Sequence, residues 1–156
     1  MDKVFLTYDD VEKSIDKMAI QITSSGYLPD VLISIGRGGM IPTRMLSDRL
    51  GITNVMMLPA SSYTGIGTKI APTIGTLPRT IFHEDVLLID DILDSGSTIA
   101  AVKKAIQPNS PCGVLTATIY CKSSNNLRAS FYDRLCDDDE WIVFPWETVE
   151  NKNNYQ

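Results

Sequence analysis

At 156 residues the chain has the length of one domain with a sizeable buried core. Its hydrophobic fraction of 44% and charged fraction of 21% are ordinary for a globular protein, and no apolar run reaches the roughly 20 residues of a membrane-spanning helix. The net charge of -5 argues against nucleic-acid binding by bulk electrostatics, yet small anions need only local backbone donors and one or two cations. The start, MDKVFLTYDD, lacks the basic and apolar stretches of a secretory signal. Cys112, Cys121 and Cys136 show no metal-ligand spacing, and their odd number suits a reducing compartment, so a cytoplasmic location is expected.

Along the chain, Thr7 is placed to cap a helix, with Asp9 and Asp10 at the positive end of its dipole. Val11, Ile15, Met18 and Ile22 recur at helical spacing as one buried stripe, and Ser24-Ser25-Gly26 ends it. Val31–Ile35 reads as a buried strand. Gly36-Arg37-Gly38-Gly39 follows, then a helix carrying Met40, Met45, Leu46 and Leu50, with Pro42 in its first turn and Gly51 as terminator. Val55–Leu58 is the next strand. From Pro59 to Pro78 no period is sustained, which predicts a long mobile loop with short strands at its ends. Val86–Ile89 reads as a strand, Ser97–Ile106 as a helix ending before Pro108, and Val114–Tyr120 as a further strand. This alternation predicts an α/β domain, a central parallel sheet flanked by helices on both faces. The segment from Cys121 to Glu147 is less regular, and 151–156 reads as a frayed tail.

Chemistry concentrates in two loops that follow strands. Asp94-Ser95-Gly96-Ser97-Thr98 has small residues that let successive N–H groups turn inward at a helix N-terminus, a nest for phosphate. Just before it stand Asp90 and Asp91. Two carboxylates beside a phosphate would repel it unless they bind ribose hydroxyls or a divalent metal, so the pattern predicts a sugar phosphate with vicinal hydroxyls. A G-x-x-x-x-G-K-[ST] sequence is absent, as is a G-x-G-x-x-G after a strand, and Asp91-Ile92-Leu93-Asp94 is not the D-x-D of aspartate-nucleophile phosphatases. His83, the one histidine, reads as structural, and Asp137–Glu140 as a solvated turn.

The segment VLLIDDILDSGST, Val86–Thr98, resembles the phosphoribosyl-pyrophosphate (PRPP) motif of type I phosphoribosyltransferases. The wider match, from about Phe5 to Glu147, is most similar to the bacterial xanthine-guanine phosphoribosyltransferases. It rests further on Arg37-Gly38-Gly39, Ser61-Ser62-Tyr63, Lys122 and the stretch Trp141-Ile142 to Pro145-Trp146-Glu147. The resemblance implies the type I phosphoribosyltransferase fold over 1–150 as a single domain, with a small C-terminal hood mainly from 121–150. It also implies a role for each matching residue. Arg37, Gly38 and Gly39 would hold pyrophosphate. Asp90 and Asp91 would bind the ribose hydroxyls directly or through Mg²⁺, and Ser95, Gly96, Ser97 and Thr98 would cradle the 5′-phosphate. Asp94 would accept the proton near N7 of a purine, and Lys122 would donate to its 6-oxo group. Trp141 would stack on the ring while the backbone around Trp141 and Ile142 reads position 2. Ser62 and Tyr63 would close over the reacting centre, and Lys69 lies in the same loop.

The implied activity is purine salvage: transfer of 5-phosphoribosyl from PRPP to N9 of guanine, xanthine or hypoxanthine, with release of pyrophosphate. Partners would be small molecules, with no nucleic acid, in a homodimer or homotetramer. The competing reading is a phosphoribosyltransferase-like regulator that binds PRPP or nucleotide and nucleic acid without turnover. The acidic balance and the retained Asp94, Lys122 and Trp141 weigh against it. The chain departs from its relatives in having Ser123 after Lys122, where proline is common, and a loop 59–78 poor in charge.

Overall fold

Reciprocal capping starts the first helix as the sequence predicts. The Asp10 N–H donates to the Thr7 hydroxyl at 3.1 Å, and the Thr7 N–H donates to the Asp10 carboxylate at 2.9 Å. Helix α1 (Tyr8–Ser24) then runs on, with Val11, Ile15, Met18 and Ile22 fully buried along one face. This is a computed structural model, and it describes residues 2–63, 69–81, 83–109, 113–124 and 126–147. The remaining elements are β1 (Asp2–Phe5), β2 (Val31–Ile35), α2 (Met40–Leu50), β3 (Val55–Leu58), β4 (Ala60–Tyr63), β5 (Lys69–Ile74), β6 (Asp85–Leu93), α3 (Ser97–Ile106), β7 (Gly113–Lys122), β8 (Phe131–Cys136) and β9 (Glu140–Val143).

The main sheet has the order β3-β2-β6-β7-β8, and each neighbouring pair is parallel. Its central strands are apolar on both faces because both are covered. Leu87 and Ile89 of β6 pack with α1 residues such as Val11 and Ile15, while Val86 and Leu88 pack with Ile99, Val102 and Ile106 of α3. Each fully buried leucine or isoleucine contributes about 1.5–3 kcal/mol, so the two half-cores hold the sheet from either side. Gly51 adopts φ 69° and ends α2 as a left-handed cap.

Three features differ from the sequence expectations, each for a non-local reason. Strand β6 does not stop at Ile89 but continues to Leu93, because β7 runs on beside it and pairs Asp90 with Thr118 and Ile92 with Tyr120. The two carboxylates therefore stand on a strand, held by its ladder. Within the expected loop 59–78 the strands are more extensive than expected and pair with each other, β4 antiparallel to β5, in the register Ala60 with Ile74 and Ser61 with Thr73; 64–68 lie outside the described residues. Of the segment 121–150 assigned to a hood, Phe131–Cys136 instead forms an edge of the main sheet. Among the described residues β9 lies outside that sheet, pairing in parallel with β1 from the N-terminus, Lys3 opposite Trp141. The tail 151–156 lies outside the described residues.

Candidate active site

Strand order decides where a ligand can bind. From β2 the chain moves outward to β3, whereas from β6 it moves the other way to β7 and β8, so the crevice between β2 and β6 is the switch point of the sheet. The loops that follow these two strands at their carboxyl ends are Gly36–Gly39 and Asp94–Gly96. Close approach of the first loop to β6 requires glycine. A Cβ on Gly38 would stand 2.6 Å from Oδ2 of Asp91, and one on Gly39 would stand 2.2 Å from the Ile89 carbonyl oxygen. Bare backbone thus lies directly against Asp91.

Asp90 and Asp91 meet that loop with little hydration. The Asp91 N–H donates to Oδ1 of Asp90 at 2.9 Å, and the Ile92 N–H donates to Oδ1 of Asp91 at 2.7 Å. Among the described residues neither carboxylate has a lysine or arginine partner. Burial raises the Asp91 carboxyl to about 6. Burial, and then the neighbouring Asp91 charge, lift Asp90 well above the ordinary carboxylate range. Two desolvated oxygen-bearing acids with spare lone pairs are a donor set that fits Mg²⁺, a hard cation commonly bound through one or two carboxylates plus ligand oxygens.

After the acids the chain enters the segment 94–98, expected to form the nest. Gly96 sits at φ 77° and starts α3 with no side chain of its own to cap it, and the Ser97 N–H of the first turn reaches the Ser95 hydroxyl at 3.4 Å. The Ser95 and Ser97 hydroxyls lie 2.9 Å apart beside it. Arg37, Gly38, Asp90, Asp91, Asp94, Ser95, Gly96 and Thr98 all line one cleft of about 820 Å³. Ser97 is exposed and does not line it. The far wall comes from Met57, Pro59, Ala60, Thr73 and Gly75, which the sequence reading did not assign. Only the pairing of β4 with β5 brings Thr73 and Gly75 there; a Gly75 N–H to Pro59 carbonyl bond of 2.7 Å closes the base of that pair.

A second cleft, of about 400 Å³, adjoins the first. Asp94 and Ser95 line both, and Lys122, Ser124 and Asp138 complete the second. Lys122 is the last residue of β7, and its ammonium donates to the carbonyls of Asp137, at 2.8 Å, and Glu140. Trp141, the next residue, is half-exposed on β9 and lines neither cleft; Ile142 is buried in the core. Ser62 and Tyr63 belong to β4 and Lys69 opens β5, but their side chains lie outside the described residues. His83 is exposed at φ 51° and stands apart from the site.

A parallel sheet whose switch-point crevice carries a buried acid pair, a glycine loop and a helix N-terminus is the arrangement of the type I phosphoribosyltransferase fold. The chain belongs to the phosphoribosyl transferase domain family, which matches residues 6–152, and is an enzyme of the pentosyltransferase class. It is 27% identical over 150 residues to xanthine-guanine phosphoribosyltransferase of Cereibacter sphaeroides, covering 91% of this chain and 85% of that protein. Identity is 30% over 120 residues to the enzyme of that name from Gluconobacter oxydans, 76% of this chain and 68% of that one. The purine phosphoribosyltransferase of Pyrococcus horikoshii superposes with a TM-score of 0.80 at 29% identity, covering 94% of each chain. The xanthine-guanine-hypoxanthine phosphoribosyltransferase of Helicobacter pylori gives 0.80 at 27% identity, over 98% of this chain and 99% of that one.

Proposed function

We propose that the protein transfers the 5-phosphoribosyl group of PRPP to N9 of a 6-oxopurine, releasing pyrophosphate. The observation that carries this reading is the shared wall: Asp94 and Ser95 line both the cleft with the acid pair and the cleft with Lys122. A phosphoribosyl group on the nest therefore has its anomeric carbon beside the second cleft, where a flat base would fit. The names of the similar proteins, all purine phosphoribosyltransferases, support the same assignment.

In this reading the C1–N9 bond forms as the bond from C1 to the pyrophosphate oxygen breaks, through a transition state with oxocarbenium character. The nest and the first turn of α3 hold the 5′-phosphate, fixing C1 in line with the base. Arg37 and the bare backbone of Gly38 face the departing pyrophosphate, and Gly39, packed against Ile89 and Ile35, holds the loop in place. Asp90 and Asp91 would hold Mg²⁺, which would supply charge neutralisation of the leaving group. Asp94 takes the proton that the purine sheds. Lys122, with two of its three N–H donors occupied by carbonyls, keeps one for an oxygen at position 6. An amino group there has no comparable acceptor, which favours 6-oxopurines over adenine. The stacking role of Trp141, the position-2 role of the backbone around Trp141 and Ile142, and the closure role of Ser62 and Tyr63 rest on the resemblance alone, since neither Trp141 nor Ile142 lines either cleft. With the reading come a cytoplasmic setting, small-molecule partners and a homodimer or homotetramer.

The test is direct. The protein is mixed with Mg²⁺, PRPP and guanine, xanthine, hypoxanthine or adenine in turn, and nucleotide formation is followed. Nucleotide is expected with at least one 6-oxopurine and at a far lower rate with adenine. No product with any 6-oxopurine overturns the reading.

A further inference from the structure

Parallel neighbours in a sheet are ordinarily joined by a crossover of a dozen or more residues. Between β7 and β8 the chain turns back within residues 123–130, directly after Lys122. What holds this tight return is a side chain outside the family motif. Arg128, half-buried in the return, donates from Nη1 to the Lys122 carbonyl at 3.1 Å and from Nη2 to the Ser123 carbonyl at 2.8 Å; Nη1 also reaches the Leu127 carbonyl at 3.3 Å. Two adjacent carbonyls are thus gripped by one planar fork. A lysine ammonium, a point charge on a flexible stem, cannot reproduce that geometry.

Lys122 is consequently fixed at both ends. Arg128 holds its backbone, and the carbonyls of Asp137 and Glu140 hold its ammonium. Ser123 adds two ties to the same turn: its N–H donates to the Cys136 carbonyl at 2.8 Å and its hydroxyl to Oδ1 of Asp137 at 3.1 Å. A proline at 123 would lack the first of these. The third donor of Lys122 is the one left for a ligand in the cleft that it shares with Asp94.

We infer that Arg128 is a positioning residue for base recognition, acting through Lys122 by clamping the carbonyls at the end of β7. The inference rests on the 6-oxopurine reading above. It separates Arg128 from a residue that merely stabilises the return, because a structural role would not single out one substrate.

The test is steady-state kinetics with guanine and hypoxanthine on the wild type, Arg128→Ala, Arg128→Lys, Lys122→Met and the double variant Lys122→Met/Arg128→Ala, with Tm measured for each. Loss of charge-assisted hydrogen bonds to the Lys122 segment should raise KM for the purine roughly ten- to a hundredfold. KM for PRPP should stay within about twofold, and in the Lys122→Met background removal of Arg128 should add almost nothing. Arg128→Lys keeps the charge and stem and should restore little; it supplies the same readout should Arg128→Ala not fold. Equal rises in both KM values, or undiminished losses in the Lys122→Met background, overturn the inference while leaving the reaction intact. A wild type that converts no 6-oxopurine overturns the underlying reading and the inference with it.

Discussion

Replacing Asp91 by asparagine should make the metal-free protein more stable and its ligand binding worse. Asp91 is 9% exposed, and its carboxyl is raised from 3.8 to about 6 by burial. That rise corresponds to about 3 kcal/mol between the two protonation states. The folded carboxyl keeps its proton to higher pH than the unfolded one, so its contribution is fully present below about pH 4 and is lost as pH climbs through 6. At pH 8 the ionised group therefore costs the fold about 3 kcal/mol, and at pH 4.5 about 1 kcal/mol. Asparagine matches the shape, can still accept the Ile92 N–H through its amide oxygen, and carries no charge. Urea unfolding in EDTA should show the Asp91→Asn advantage growing between pH 4.5 and pH 8, toward roughly 3 kcal/mol or about 6–12 °C in Tm. Mg²⁺ with PRPP should then raise the Tm of the wild type far more than that of the variant. An Asp91→Asn protein no more stable than the wild type at pH 8, or an advantage that does not change with pH, refutes the reasoning. The energy in question is stored at the site and released on binding, the usual exchange of stability for function.

Asp94→Asn should lower kcat by roughly a hundredfold or more while KM for PRPP changes little, because it removes a proton acceptor; equal losses in kcat and PRPP affinity would sink that role. Gly39→Ala places a Cβ 2.2 Å from the Ile89 carbonyl oxygen and 3.0 Å from backbone of Ile35. The main chain must shift, and a loss of about 1–3 kcal/mol or more is expected in thermal or urea unfolding. Thr7→Ala breaks the reciprocal cap of α1 far from the clefts, so it should cost about 1 kcal/mol of stability and leave the kinetics unchanged; a changed KM would show that α1 is coupled to the site.

Nearest-neighbour chemistry made much of this protein legible from its residues. The cap at Thr7, the stripe from Val11 to Ile22, the terminator Gly51 and the helix Ser97–Ile106 depend on spacings of one turn, and all four stand in the structure as read. The acids at 90 and 91 and the small residues at 95–98 follow one predicted strand within a single short segment, so a sugar phosphate could be inferred without any long-range pairing. Long-range pairing was not legible in the same way. Strands of four residues such as β1 and β9 are too short to show a period, and they exist because each supplies the other's ladder. Strand order placed the glycine loop of β2 against Asp91, and the β4–β5 pair supplied the far wall of the first cleft. Arg128 had no signal at all in the sequence, because its partners are carbonyls, which every residue possesses. The segment 86–98 by itself pointed to a phosphorylated ribose as ligand. Where the base would sit, beside Asp94 and within reach of Lys122, was decided by the tertiary structure, which folds β7 and the turn before β9 against the same wall.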